Sequence, residues 1–132
     1  MYNKEKGQSI LEHLFTDSLI YLPNIIIMKE ITVQELKQKF DNKEDIQLID
    51  VREEYEFEIV NIGAELIPLA TILDNADRIS KDKMVVIHCR SGARSAGAIM
   101  NLENRFGFTN LYNLKGGILA YAKEIDQSLP NY

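Results

Sequence analysis

The segment with the clearest chemical potential is residues 88–95, which read His-Cys-Arg-Ser-Gly-Ala-Arg-Ser and include Cys89, the only cysteine of the chain. It lies between an unbroken apolar run, residues 84–87, and a helical pattern over residues 93–106. The first N–H groups of a helix have no intrahelical partner, and the helix dipole adds partial positive charge. A loop in this position is therefore predicted to bind an anion.

Cys89 is predicted to be a nucleophile and not an inert core residue. A lone cysteine at the end of a buried strand most often belongs to the core, but Arg90 and Arg94 place two positive charges beside this one. Such surroundings lower the pKa of a cysteine from about 8.5 to between about 3.5 and 7.5. Gly92 lets the backbone curl, so the loop amides are expected to surround one extra atom on the sulfur, either an anionic sulfur or a phosphate.

The histidines are not predicted to take part in this chemistry. His88 precedes Cys89 on a predicted strand, and neighbouring strand residues point to opposite faces of a sheet, so we expect His88 to be structural. One cysteine excludes an internal disulfide. With His13 and His88 it also supplies too few ligands for a zinc site, and we predict no metal.

Composition favours one ordinary globular domain. The 132 residues are 45% hydrophobic and 27% charged, and the net charge is −5. An acidic chain of this kind is not expected to bind nucleic acid or an anionic membrane, because both attract basic surfaces. A single unpaired cysteine suits a reducing compartment, so a cytoplasmic location is predicted.

Residues 1–28 are predicted to be a poorly ordered extension, and residues 29–132 to be the folded domain. The apolar run 19–28 is too short to span a bilayer and contains Pro23. A signal peptide is the alternative, since two lysines precede this run. Acidic residues intervene, however, and no small-residue cleavage site follows.

Strand-like and helix-like patterns alternate from residue 29 onward, which predicts an α/β domain with a parallel sheet and helices on both faces. The spacing of Thr32 and Glu35 predicts a capping box at the first helix. Strands are predicted at residues 31, 46–49, 66–67, 84–88 and 110–112. Helices are predicted at residues 33–40, 53–59, 69–73, 93–106 and 118–125.

Three motifs, in order along the chain, resemble those of the rhodanese family. Residues 50–56, Asp-Val-Arg-Glu-Glu-Tyr-Glu, match its Asp-x-Arg signature, and residues 89–95 match its active-site loop, whose cysteine carries a sulfane sulfur. Residues 114–118 resemble its glycine pair before the last helix. The resemblance spans residues 29–132 and implies a central parallel sheet of about five strands.

Two further segments resemble one branch of that family. Residues 60–64, Val-Asn-Ile-Gly-Ala, and the ending 125–132 are similar to the rhodanese domains attached to adenylyltransferases of molybdopterin and thiamin synthesis. Many other rhodaneses have a longer, histidine-containing stretch before the third strand. The chain contains no glycine-rich nucleotide-binding segment of an adenylyltransferase.

The length of the loop separates two chemistries. Phosphatases that use a similar loop resemble Cys-x5-Arg, whereas here four residues separate Cys89 from Arg94. The smaller cradle favours one sulfur atom over a phosphoryl group, so a cysteine-dependent phosphatase or arsenate reductase is the weaker alternative. The presence of Cys89 also disfavours a non-catalytic binding module.

The resemblance implies a thiosulfate sulfurtransferase working through a persulfide on Cys89. The donor would be thiosulfate or a protein persulfide, and the acceptor a thiol, cyanide or a protein. A dedicated protein-to-protein relay with little thiosulfate activity remains an alternative, with a sulfur-carrier or desulfurase protein as partner. No cofactor is expected, and the chain is predicted to be a monomer. The predicted substrate-binding residues are Arg90, Ser91, Gly92, Ala93, Arg94 and Ser95.

Asp50 and Arg52 are predicted to support the site. The Asp50 carboxylate is expected to buttress Arg52 or the Cys89 loop, and Arg52 is expected to pair with Glu56. The four glutamates at positions 53, 54, 56 and 58 are predicted to form, for the most part, a solvated helix face.

Overall fold

The computed structural model describes residues 27–132, so most of the predicted extension, residues 1–26, lies outside the described residues. At the start of the described part, the Ile27 side chain is exposed and Met28 packs against the core. The strands are β1 (Glu30–Ile31), β2 (Gln47–Asp50), β3 (Glu65–Leu66), β4 (Val85–His88) and β5 (Leu111–Leu114). The α-helices are α1 (Val33–Asp41), α2 (Glu54–Ile59), α3 (Ala93–Phe106) and α4 (Gly117–Glu124).

Helix α1 begins where the sequence predicts it. The Thr32 hydroxyl accepts a hydrogen bond from the Glu35 amide at 3.0 Å, and the Glu35 carboxylate accepts one from the Thr32 amide at 2.8 Å. This reciprocal pair satisfies two N–H groups that have no partner within the helix. The predicted capping box is therefore confirmed.

The five strands form one parallel sheet in the order β1-β5-β4-β2-β3. Strand β4 lies at its centre, and Asp50 at the end of β2 pairs in register with His88 at the end of β4. Asn113 of β5 pairs with Ile87 on the other side. The carboxyl ends of three strands thus meet at one edge, which is where ligands bind in open α/β sheets.

Helices cover both faces of the sheet, as predicted. Alternate residues of β4 point to opposite faces, and accordingly Ile87 belongs to the cluster beneath α3, which also holds Ile99 and Leu102. Val86 belongs to the cluster beneath α1 and α4, together with Leu36. The unbroken apolar run of β4 is explained by this burial on two sides.

The predicted element boundaries differ from the structure by a residue or two in several places. The helix predicted at residues 69–73 is a 3-10 turn, Leu69–Thr71, followed by a second 3-10 segment, Leu73–Arg78. Pro68 precedes this stretch as its N-cap, where its fixed φ is readily accommodated. None of the helices in residues 27–132 has the length and apolar character needed to cross a membrane.

Candidate active site

The Cys89 loop lies between the end of β4 and the first turn of α3. Gly92 is the N-cap of α3 and has a φ of +110°, a value that L-residues with side chains rarely adopt. The turn at Gly92 directs the loop back over the thiol, because the Gly92 amide lies 3.1 Å from the Cys89 Sγ atom.

Three hydrogen-bond donors converge on the Cys89 sulfur. They are the Gly92 amide at 3.1 Å, the Ser95 amide at 3.4 Å and the Ser95 hydroxyl at 3.4 Å. Cys89 is only 1% exposed, so water contributes little to the solvation of this atom. Of the six predicted binding residues, Gly92 and Ser95 contact the sulfur directly, while the side chains of Ser91 and Ala93 are exposed.

The pKa of Cys89 lies below its usual value, in the predicted direction. Burial disfavours the thiolate and acts to raise the pKa, but hydrogen bonds from the Ser95 hydroxyl and from the Ser95, Gly92 and Ser91 amides outweigh it. The predicted contribution of the helix end is present, because the Gly92 and Ser95 amides lie at the N-terminus of α3. The two predicted arginines make no hydrogen bond to the sulfur, whose contacts come from neutral donors.

Asn113 fixes the orientation of these donors, and the sequence analysis did not identify it. Its side-chain oxygen lies 2.5 Å from the Ser95 hydroxyl, and its amide nitrogen donates to the Gly92 carbonyl at 3.1 Å. Because a serine hydroxyl carries one proton, Ser95 donates at any moment to only one of three acceptors: the Asn113 side-chain oxygen, the Gly92 carbonyl at 3.2 Å or the Cys89 sulfur. The signal in the sequence was a polar residue within the short apolar strand β5.

The glycine pair positions the loop backbone from the other side. The Ile118 amide donates to the Cys89 carbonyl at 3.0 Å, and the Leu119 amide donates to the Arg90 carbonyl at 3.1 Å. A Cβ atom on Gly117 would lie 2.4 Å from that Arg90 oxygen. Glycine is therefore required for α4 to approach the loop this closely.

Arg94 is paired with Glu56, the one buried member of the predicted glutamate face, whereas the glutamates at positions 53, 54 and 58 are exposed as predicted. The Glu56 carboxylate accepts from both terminal nitrogens of Arg94, at 2.8 and 3.0 Å, and the residue is only 4% exposed. Hydrogen bonding from Arg94 outweighs burial and lowers the pKa of Glu56 to about 2. The position of Glu56 in the Asp-x-Arg signature was the available signal for this role.

Arg52 pairs with Asp50 and not with the Glu56 carboxylate, so the predicted Arg52–Glu56 pair is wrong. Both members of the Asp50–Arg52 pair are fully buried, with Arg52 Nε 3.0 Å and Nη2 2.8 Å from the carboxylate oxygens. Arg52 also donates to the main-chain oxygen of Val60 at 2.6 Å. The predicted contact between Asp50 and Arg52 is thus present.

His88 has a structural environment, as its strand position predicts. Its Nδ1 atom lies 3.1 Å from the Cys89 carbonyl oxygen and its Nε2 atom 3.6 Å from Asp50. Burial lowers the pKa of His88, and the opposing attraction of Asp50 is smaller. The imidazole is therefore neutral at pH 7 and makes its hydrogen bond to backbone. No group of three or more metal-binding side chains occurs in residues 27–132.

Arg90 is paired with Tyr132, a residue that sequence reasoning did not find. The main-chain oxygen of Tyr132 accepts hydrogen bonds from Arg90 Nε, at 3.0 Å, and from Nη2. The Tyr132 ring centre lies 5.1 Å from the Arg90 guanidinium carbon. The separation of 42 residues between the two leaves no local pattern from which this contact could be read.

Comparison with known proteins agrees with this geometry. Residues 32–124 match the model of the Rhodanese-like domain family. The probable adenylyltransferase/sulfurtransferase MoeZ of Mycobacterium tuberculosis is 36% identical over 105 residues, which cover 77% of this chain and 26% of MoeZ. A sulfurtransferase of Allochromatium vinosum is 38% identical over 98 residues, covering 74% of this chain and 91% of that protein.

A solved structure also supports the match to the rhodanese-like domain family. The crystal structure of a rhodanese-like domain protein from Staphylococcus aureus superposes with a TM-score of 0.67 and 37% identity, covering 74% of this chain and 95% of that one. The predicted likeness to rhodanese domains linked to adenylyltransferases is confirmed by the match to MoeZ, of whose length this chain spans a minor part. The motifs, the fold and the family match agree, and the chain belongs to the rhodanese-like domain family.

Proposed function

We propose that this protein is a sulfurtransferase that carries a sulfane sulfur as a persulfide on Cys89. The observation that carries the proposal is the convergence of three neutral donors on the Cys89 sulfur within 3.4 Å. They favour the thiolate, which is the reactive form of a cysteine. The similarity to proteins named as sulfurtransferases supports the same chemistry.

Two displacements complete the reaction. With thiosulfate as donor, the Cys89 thiolate attacks the sulfane sulfur, the bond between the two sulfurs of thiosulfate breaks, and sulfite leaves with the electron pair. The product is a Cys89 persulfide anion. Cyanide then attacks the outer sulfur, thiocyanate leaves, and the Cys89 thiolate is regenerated, as in other covalent double displacements. No metal or organic cofactor enters either step.

Burial of Cys89 suits the transfer of one small atom. A residue that is 1% exposed can be reached by a sulfane sulfur but not by a bulky centre. Once the persulfide forms, the outer sulfur lies about 2 Å beyond the original thiol, since that is the length of an S–S bond. We infer that this outer sulfur points toward the mouth of the site, so that the acceptor can be a larger thiol or a protein.

We propose thiosulfate or a protein persulfide as donor, and a thiol, cyanide or a protein as acceptor. The similarity to MoeZ, named as an adenylyltransferase and sulfurtransferase, supports a sulfur-carrier or desulfurase protein as partner. A dedicated relay with little thiosulfate activity is one form of this proposal. We propose that the domain acts as a monomer. We also propose a location in the reducing cytoplasm, because Cys89 must remain a free thiol.

Intact-mass spectrometry tests the proposal directly. Incubation with thiosulfate should add the mass of one sulfur atom to the protein, and cyanide should remove it with release of thiocyanate. The Cys89→Ser variant should show neither event, and Thr109→Ala, which changes an exposed side chain outside the Cys89 loop, serves as the control. Thiocyanate formation that survives in Cys89→Ser would contradict the proposal.

The same preparations test the phosphatase alternative. A loop with four residues between Cys89 and Arg94 is expected to reject aryl phosphates. Steady hydrolysis of para-nitrophenyl phosphate that is lost in Cys89→Ser, without any persulfide formation, would favour a phosphatase over a sulfurtransferase.

A further inference from the structure

Arg90 is the loop cation available for attracting an anionic substrate. The other two arginines of the site are each paired with a carboxylate: Arg94 with Glu56 at 2.8 Å, and Arg52 with Asp50 at 2.8 Å. Among residues 27–132, Arg90 has no carboxylate side chain within ion-pair distance, and its guanidinium instead contacts the main-chain oxygen of Tyr132, the last residue of the given sequence. Arg90 is therefore the main donor of a charge-assisted hydrogen bond to any oxyanion that enters the site.

Tyr132 occupies the face of Arg90 that such an anion needs. Its main-chain oxygen accepts from both Nε and Nη2 of Arg90, the pair of donors that forms a fork matched to two oxygens of a carboxylate or similar anion. The Tyr132 ring lies against the same guanidinium, at 5.1 Å. A bidentate oxyanion can bind the Nε–Nη2 edge of Arg90 only after Tyr132 moves away.

Tyr132 is itself anchored by the buried ion pairs. Its hydroxyl accepts a hydrogen bond from Arg52 and donates one to Glu56 at 3.2 Å. Its ring centre lies 5.4 Å from the Arg52 guanidinium carbon. Because Arg52 and Glu56 are almost fully buried, their side chains hold the Tyr132 side chain in a fixed position. Removal of the Tyr132 side chain would eliminate every one of these anchoring contacts.

We propose that Tyr132 is a specificity-determining residue that withholds Arg90 from small oxyanion donors such as thiosulfate. The inference rests on the proposed sulfur transfer at Cys89 and adds a selection among donors. Sulfite, the leaving group from thiosulfate, carries its charge on oxygens and gains from a free guanidinium. A thiol persulfide leaves a thiolate, which has no oxyanion for Arg90 to bind. Tyr132 therefore disfavours thiosulfate selectively.

Steady-state kinetics on Tyr132→Ala and Tyr132→Phe test this role. With thiosulfate and cyanide, the KM for thiosulfate should fall about fivefold to tenfold in Tyr132→Ala, roughly the effect of one charge-assisted hydrogen bond. Tyr132→Phe keeps the ring but loses the hydroxyl anchors, so its KM should fall less. With the persulfide of 2-mercaptoethanol as donor, which carries no carboxylate or other oxyanion, KM should change less than twofold. Tyr55→Ala, at a tyrosine that is 65% exposed, is the matched control.

A binding measurement separates this inference from the proposed function. Calorimetric titration of thiosulfate into Cys89→Ser and into Cys89→Ser/Tyr132→Ala requires no turnover, and the Kd should be about fivefold to tenfold lower in the double variant. An unchanged or higher Kd in the double variant would overturn the role of Tyr132, even in an active enzyme. A purely structural role would instead lower the melting temperature and reduce kcat equally with both donors. Failure of the wild type to form a persulfide would refute the sulfur transfer while leaving the Kd comparison intact.

Discussion

Replacement of Glu56 by glutamine should cost stability at neutral pH, because it removes the carboxylate from a nearly buried ion pair. Glu56 accepts two hydrogen bonds from Arg94 and one from the Tyr132 hydroxyl. Glutamine keeps an oxygen that can still accept from the Glu53 amide, so the start of helix α2 should persist. The substitution therefore tests the charge and not the local helix.

The magnitude follows from the pKa of Glu56, which falls from an ordinary 4.5 to about 2. Since a tenfold change in an ionisation constant is worth about 1.4 kcal/mol, the full effect is roughly 3 kcal/mol. The Arg94 side chain is 35% exposed, and solvent screening reduces this to about 2 kcal/mol. A pKa lowered in the native state gives stability that is present above pH 4.5 and is lost as the pH falls toward 2.

Urea unfolding at pH 7, 4 and 3 provides the measurement. The Glu56→Gln variant should be about 2 kcal/mol less stable than the wild type at pH 7, with the difference shrinking at pH 4 and further at pH 3. Glu58→Gln, at an exposed glutamate of the same helix, should change stability by less than about 0.5 kcal/mol. A deficit that is equally large at pH 3 and pH 7 would refute the ion-pair explanation, since it would not depend on the Glu56 charge.

Two further substitutions test how the loop is held. Ser95→Ala should raise the midpoint pH for iodoacetamide alkylation of Cys89, because the hydroxyl no longer stabilises the thiolate. An unmoved midpoint would contradict a role for the hydroxyl and show that the amides suffice. Gly117→Ala should lower stability by about 2 kcal/mol or more and impair thiocyanate formation, because the new methyl group would collide with the Arg90 carbonyl. Gly97→Ala, in open space on α3, is the control and should be neutral or slightly stabilising in thermal unfolding.

Much of the fold could be predicted because its signals are local. The capping box at Thr32 lies within four consecutive residues, and the doubly buried strand β4 shows as a continuous apolar run. The predicted bounds of helix α3, residues 93–106, are confirmed, and Gly92 and Gly107 flank it in the left-handed conformation. The 3-10 stretch after Pro68 was harder, because a short apolar run beside proline fits an α-helix or a tighter turn equally well.

The site was predictable only where a motif is contiguous. The Cys89 loop and the Asp50–Arg52 pair lie within short segments, so residue types and spacing were informative. Asn113 and Tyr132 reach the loop from strand β5 and from the end of the chain, and such contacts depend on how distant segments pack. The partner of Arg52 was assigned wrongly because helical spacing favours Glu56, whereas the Asp50 carboxylate is nearer in the folded chain.

Neutral hydrogen-bond donors and charged side chains have different roles in this site. Neutral donors of Gly92 and Ser95 contact the thiol. The charges of Arg52 and Arg94 form ion pairs with the carboxylates of Asp50 and Glu56. A thiolate stabilised by close amide and hydroxyl donors is surrounded by groups that need not reorganise when a sulfur atom is added or removed. Charged groups at that distance would bind oxyanions as readily as sulfur. For the proposed sulfur transfer, paired arginines therefore favour a site suited to a single sulfur atom, and the proposed role of Tyr132 would assign the choice of donor to its contact with Arg90.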